Sequence, residues 1–246
     1  VADLEAVSTW RKLWLGQDSL ARAELDSVEP WSLPLVVRSE KASPPSHQAA
    51  LHASAHAVVG LLAHPDSAPD GPWHAPMRRW SDGWIRKVVR RARTIRWTET
   101  IALPGVTGEV AGAEVRALLP HPVSEPPATV AKLQVSGLDL EVDPDWEPLP
   151  TSQPRLTILL APGLTLTTGK ACAQVGHAAQ LALLELDEAT VGEWATADFP
   201  LRVQAAESPV WQQLLRGRLL AAVVRDAGFT EVAPGTFTCA ATFAEL

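Results

Sequence analysis

Residues 155–179 read RLTILLAPGLTLTTGKACAQVGHAA and carry the chain's clearest strand-to-helix pattern. Arg155 to Leu160 is a short apolar run, a buried-strand signal. Pro162 and Gly163 open a turn-rich loop. From about Gly169 to Leu186 the pattern is helical. Lys170, Gln174 and His177 are spaced i, i+4, i+7, so an ammonium, an amide and an imidazole share one helix face. Ala171, Ala173, Gly176, Ala178 and Ala179 are small enough for that helix to lie close on a sheet. A cation in the first helical turn opposes the helix dipole, which suggests a use for the Lys170 charge. Strand, Gly163, Gly169-Lys170 and helix also follow the order of a phosphate-binding loop. Five residues separate the glycines where that motif has four, and Ala171 replaces its metal-binding Ser/Thr, so that reading fails.

Downstream, Phe199 to Ala205 predicts a second strand. Ser208-Pro209 gives an N-cap with proline at the first helical position, predicting a helix to about Arg225 that Gly228 ends. Short strands around Glu231–Val232 and Phe237–Thr242 are joined by a turn at Pro234-Gly235. The alternation implies an α/β layer domain with a mixed sheet. Asp226 then falls at a helix C-terminus, where an anion is mildly unfavourable. A plain salt bridge with Lys170 and a shared site both account for these two charges.

Upstream, Asp143 to Pro154 is acidic and proline-rich and reads as an interdomain linker. Within residues 1–29, Leu4, Val7, Trp10 and Trp14 have helical spacing. Leu35-Val36-Val37 suggests a buried strand, His47 to Leu62 a helix, and His64 to Pro76 a loop. Ile85 to Arg96 fits either helix or strand, while Val110 to Leu119 and Ala131 to Val142 predict strands. Val106–Gly112 echoes Phe229–Gly235, and His52–Ala57 echoes Gln174–Ala178. Ile85-Arg86 followed by Trp97 echoes Leu201-Arg202 followed by Trp211. The preserved order predicts two divergent copies of one fold, residues 1–142 and 155–246, packed as an intramolecular pseudo-dimer.

The 246-residue chain has a net charge of −7, which argues against nucleic acid as a partner. Its distribution argues the other way. From Arg78 to Arg96, eight cations face Asp82 alone; this window carries +7, so the remainder of a −7 chain sums to −14. Arg86, Arg90 and Arg93 lie in it, interleaved with Trp80, Trp84 and Trp97. A solvated face is the bland alternative. Cys172 and Cys239 are far apart and read as buried small hydrophobes in a reducing cytoplasm. His47, His52, His56, His64 and His74 lack carboxylates or cysteines at ligand spacing, so no metal is expected. No apolar run approaches the roughly 20 residues that cross a bilayer.

The two downstream clusters, G-K-x-x-A-Q-x-x-H-A from Gly169 and D-A-G-x-T-x-V-x-P-G-T-x-T from Asp226, together resemble the archaeal/eukaryotic-type peptidyl-tRNA hydrolases. That resemblance covers about 90 residues. It implies, for each copy, a four-stranded mixed sheet with helices on both faces. The implied activity is hydrolysis of the ester between a peptide and the tRNA 3′ ribose, with no metal or organic cofactor. Carried over motif by motif, the functional positions are Lys170, Gln174, His177, Asp226, Thr230 and Thr238. Lys170, Asp226 and Thr238 take the catalytic roles, with Gln174, His177 and Thr230 binding substrate and Arg86, Arg90 and Arg93 meeting the tRNA. The family's Arg-x-Asp after its first strand is replaced here by Ala161 and Gly163. The first copy keeps Arg38-Ser39-Glu40 but has His47 at the lysine position, Ser54 at the histidine, Leu103 at Asp226 and Val115 at Thr238. It is therefore not expected to be catalytic. Besides hydrolysis, two readings follow: a non-catalytic tRNA- or protein-binding module, and an enzyme of specialised metabolism acting on aminoacyl- or peptidyl-tRNA or a related acyl substrate.

Overall fold

Trp31–Arg38, the strand β1, sits at the centre of the first of two sheets and is buried along nearly its whole length. The computed structural model describes residues 2–145, 156–216, 222–228 and 231–243. Two helices precede β1, α1 (Leu4–Leu15) and α2 (Ser19–Val28), opened by the Asp3 and Asp18 side chains as N-caps. After β1 come α3 (His47–Leu62), a 3-10 turn at Pro65–Ser67, α4 (His74–Ser81), β2 (Lys87–Ala92) and α5 (Thr94–Ile101). The hairpin β3 (Gly105–Val110) and β4 (Ala113–Leu118), the short β5 (His121–Pro122) and α6 (Ala128–Ala131) complete this first body. The second body runs β6 (Leu156–Leu160), α7 (Thr168–Glu185), α8 (Glu188–Thr196), β7 (Leu201–Ala205), α9 (Ser208–Arg216), β8 (Ala222–Arg225) and β9 (Phe237–Thr242).

The two sheets have the same design. Their strand orders are β2-β1-β4-β3 and β7-β6-β9-β8, with the first pair parallel and the other two antiparallel. β5 adds only a short pairing at the start of β1. Helices cover both faces of each sheet. In the first body α3 lies on one face, while Trp97 of α5 and Val130 of α6 pack with Val36, Ala92 and Leu118 on the other. In the second, α7 takes one face and Trp211 and Leu214 of α9 pack on Leu159 and Ala240. The expected α/β class, with two mixed four-stranded sheets, is what forms.

Between the sheets α3 and α7 lie against each other, and one hydrophobic core runs through both bodies. The cross-contacts are reciprocal: α3 reaches β7, and α7 reaches β2. Small residues permit this approach. A Cβ on Gly176 would stand 3.0 Å from Val58 Cγ2, tighter than ordinary side-chain contact. Cys172 and Cys239 are buried free thiols. His52 of α3 accepts a hydrogen bond at Nε2 from the Val203 N–H of edge strand β7 at 2.9 Å. Burial, helped by His56 and Arg202, pulls the His52 pKa down to about 4. The ring is therefore neutral at pH 7.

Several local expectations give way to tertiary context. Val110–Leu119 is not one strand: Ala111 and Gly112, both at positive φ, turn the chain from β3 into β4. Ile85–Arg96 resolves into β2 and the start of α5. Residues 131–142 do not form a strand; apart from the Arg91–Gln134 bridge they run irregularly, with Gly137 at φ +72°. The helix from Ser208 is described as far as Arg216, and residues 222–225, rich in β-branched valine, form a strand rather than the end of that helix. Glu231–Val232 is a bend. Most of the expected linker, residues 146–154, lies outside the described residues. No helix among the described residues is long and apolar enough to cross a membrane.

Candidate active site

Because β8 replaces the end of the expected helix, Asp226 leaves a strand rather than a helix C-terminus. A β-bulge between Val224 and Arg225 turns the chain just before it. Its backbone is held on both sides, N–H to the Thr236 carbonyl at 2.9 Å and carbonyl from the Gly235 N–H at 2.7 Å. The side chain reaches the start of α7. Lys170 Nζ lies 2.6 Å from Asp226 Oδ2, with only 12 % and 7 % of the two side chains exposed. The unfavourable charge in the first helical turn is thus offset by a carboxylate from the adjacent sheet.

Asp226 makes further bonds. Gln174, one turn after Lys170, donates Nε2 to the same Oδ2 at 2.8 Å, and the Gly228 N–H donates to Oδ1 at 2.7 Å. Thr238 of β9 donates its hydroxyl to Gln174 Oε1 at 2.5 Å. Lys170, Asp226, Gln174 and Thr238 therefore form one connected chain of polar groups. Gln174 stands between Asp226 and Thr238 and orients both. Burial pushes the Asp226 carboxyl up, but the Lys170 hydrogen bond, the Gly228 N–H, the Lys170 charge and Gln174 outweigh it, and the net shift is down. The carboxylate stays ionised and accepts only.

The loops around this network are fastened to each other. Thr167, the N-cap of α7, gives its N–H and hydroxyl to Glu231 at 2.9 and 2.6 Å. Gly228 sits at φ +81°, and a Cβ there would lie 2.5 Å from Pro234. The first body also contributes. His47, at the start of α3, meets Thr168 Oγ1 through Nδ1 at 2.9 Å, and Thr168 Oγ1 accepts from the Leu140 N–H at 2.8 Å. The strap 138–143 ties both helix starts: Gly169 N–H to Leu138 O, His47 N–H to Glu141 O, and Gln48 to the Asp143 backbone. A cavity of about 60 Å³ lies beside Thr238, with His47 on its wall. Neither Glu231 nor the strap had a sequence signal, since both act through hydrogen bonds to residues distant along the chain.

The remaining expected positions are elsewhere. His177 is partly buried two turns further along α7; burial, Lys87 and Arg22 hold its pKa well below the usual range. Lys87 itself, pulled by burial to about 7, bonds Gln180 and lies over Trp80. Thr230 lies outside the described residues. Arg86, Arg90 and Arg93 stand on β2 and its flanks in the first body. Arg86 pairs with Asp26 at 3.0 Å, Arg90 donates to Leu133 O, and Arg93 to Ser39 O. Of the interleaved tryptophans, Trp80 and Trp97 are core residues, and only Trp84, 51 % exposed, offers a face for stacking. In the first body Arg38 pairs with Glu114. Continuing the strand registers sets Glu114, rather than Val115, at the place that Thr238 holds opposite Ala161. Among the described residues no three His, Cys, Asp or Glu side chains gather as a metal site would need.

A fixed ammonium beside an ionised carboxylate, with a hydroxyl in relay, suits hydrolytic chemistry at a carbonyl. Residues 155–245 match the family model for peptidyl-tRNA hydrolase PTH2. The matched segment is the second body and contains the whole Lys170–Asp226–Gln174–Thr238 network; residues 1–154 lie outside it. The match links the second body in general terms to peptidyl-tRNA hydrolysis, a reaction of translation. No curated protein is significantly similar to the chain.

Proposed function

We propose that the chain hydrolyses the ester bond between a peptide, or an N-blocked amino acid, and tRNA, using the PTH2 body as the catalytic unit. The observation that carries this reading is the buried network in which Asp226 is bonded at once to Lys170, Gln174 and the Gly228 N–H. Asp226 accepts a proton from the attacking water, directly or through the groups it orients. Water adds to the ester carbonyl, and the Lys170 ammonium offsets the charge that develops on the carbonyl oxygen. Collapse of this intermediate expels the ribose oxygen, which takes up the proton. Thr238 and Gln174 set the geometry, and Thr230 is assigned to substrate contact; His177, turned toward Lys87 and Arg22 of the first body, is left out of it.

Residues 1–142 serve in this reading as a supporting body, joined through 143–154 to 155–246 as a pseudo-dimer inside one cytoplasmic chain. Arg86, Arg90 and Arg93 lend positive charge to the acceptor stem while keeping their partners in the first body. Association with tRNA is then expected to weaken steeply as salt rises, and an affinity unchanged between about 50 and 200 mM salt removes this role.

The decisive experiment is release of free tRNA from an N-blocked aminoacyl-tRNA by wild type, Asp226→Asn and Lys170→Ala. Turnover by wild type that is lost in both variants supports the assignment; a Lys170→Ala protein with more than half the wild-type rate ends it. Ala161 and Gly163, in place of a charged pair, favour a second reading, a binding module without turnover. Retained tRNA binding with no release by wild type is its signature.

A further inference from the structure

We propose, building on that reading, that the cavity at the junction of the two bodies is the acyl subsite, that it takes one short aliphatic side chain of the ester's amino acid, and that His47 of the first body forms its end wall. Leu160, Leu164 and Leu166 with Ala161 and Ala171 supply the sides, leaving His47 and Thr238 as the polar groups on its surface. Such a lining suits a hydrocarbon group. Among the described lining residues there is no Lys or Arg to hold a phosphate, and the one ring, His47, is fixed through Nδ1 on Thr168.

Position supports the assignment. Thr238 lines the cavity and is also hydrogen-bonded to Gln174, which is bonded to Asp226. A group that fills the cavity is thus attached close to the carbonyl undergoing attack, as the side chain on the carbon next to an ester carbonyl is. Size sets the specificity. At about 60 Å³ the space equals roughly two water molecules, room for a methyl or isopropyl group; a cavity that admits a benzene ring is about 150 Å³.

His47 suits an apolar wall because it is held and uncharged. Its Nδ1 is bonded to Thr168, its N–H to Glu141 O, and burial lowers its pKa despite Asp139. The first body, which lacks a lysine at this helix start, thereby acquires a role in the PTH2 body's selectivity.

The test uses one tRNA body charged with N-acetyl-alanine, -valine or -phenylalanine, and reads kcat/KM for release together with Kd from filter retention. Wild type is expected to favour alanyl and valyl over phenylalanyl substrate by about tenfold or more, the scale of discrimination by pocket size. Leu166→Ala and His47→Ala should each narrow that gap by raising phenylalanyl turnover, and Leu164→Phe should depress the valyl rate. Equal kcat/KM for all three substrates, or a gap unmoved in the folded variants, overturns the proposal. If no substrate is released, the hydrolase reading fails, and Kd decides the subsite alone: the same preference retains it, and equal affinities dismiss it.

Discussion

The two bodies share a strand order yet fill the same corner with different chemistry. At the end of β6 the second places Ala161 opposite Thr238, and beside them Lys170 is paired with Asp226. At the end of β1 the first places Arg38 against Glu114, with Glu40 as a second partner, and starts its long helix with His47. In the first body the charges satisfy one another on a partly exposed surface. In the second the ion pair is buried and chained to Gln174 and Thr238, which raises the cost of removing any member. The scaffold thus sets where a polar corner arises, and burial determines what that corner can do.

The strongest way to break this comparison is to neutralise the two acids in turn. Asp226→Asn should lower tRNA release by about 100- to 1000-fold, the loss expected for one electrostatic group at a reacting centre. Glu114→Gln should leave it within about twofold, with near-ultraviolet circular dichroism confirming both folds. Equal losses would mean that the first body's corner also serves catalysis.

A second measurement concerns the contact between the bodies. The His52 pKa falls from 6.5 in the unfolded chain to about 4 in the folded one. Its contribution is complete above pH 6.5 and is lost as the pH falls toward 4, because only the unfolded chain takes up the proton readily. Over that window the loss is about 3 kcal/mol, and His47, His56 and His177 are shifted in the same direction. Urea unfolding between pH 7 and 4 should show this decline, and His52→Gln should flatten it. A smaller effect sharpens the site: Gly228→Ala, at φ +81° and against Pro234, should cost about 1–3 kcal/mol and weaken turnover. Unchanged stability would show that the loop accommodates the methyl group.

Much of this was legible in the chain itself. The apolar run at 155–160, the helical patterns at 47–62 and about 169–186, and the i, i+4 spacing of Lys170 and Gln174 encode local structure, and local structure followed within a residue at each end. Asp226 was recognisable as a partner for Lys170, but not as the end of a strand, since Leu- and Ala-rich sequence before Ala222 suits a helix until the sheet offers Val223 and Val224 a place beside β9. The 131–142 segment alternates like a strand; its backbone instead serves the starts of α3 and α7. His47 is the clearest case of what sequence withholds. Its partner Thr168 lies far along the chain, and only the approach of α3 to α7 brings them together.

That approach has a consequence for concentration. A cavity assembled from two separate polypeptides empties of one wall on dilution, and its selectivity then depends on how much protein is present. Here His47 and Thr238 belong to one molecule and line one cavity, so the wall is supplied within the chain and does not depend on how much protein is present. Substrate preference should therefore be a first-order property of the chain, the same at nanomolar as at micromolar protein.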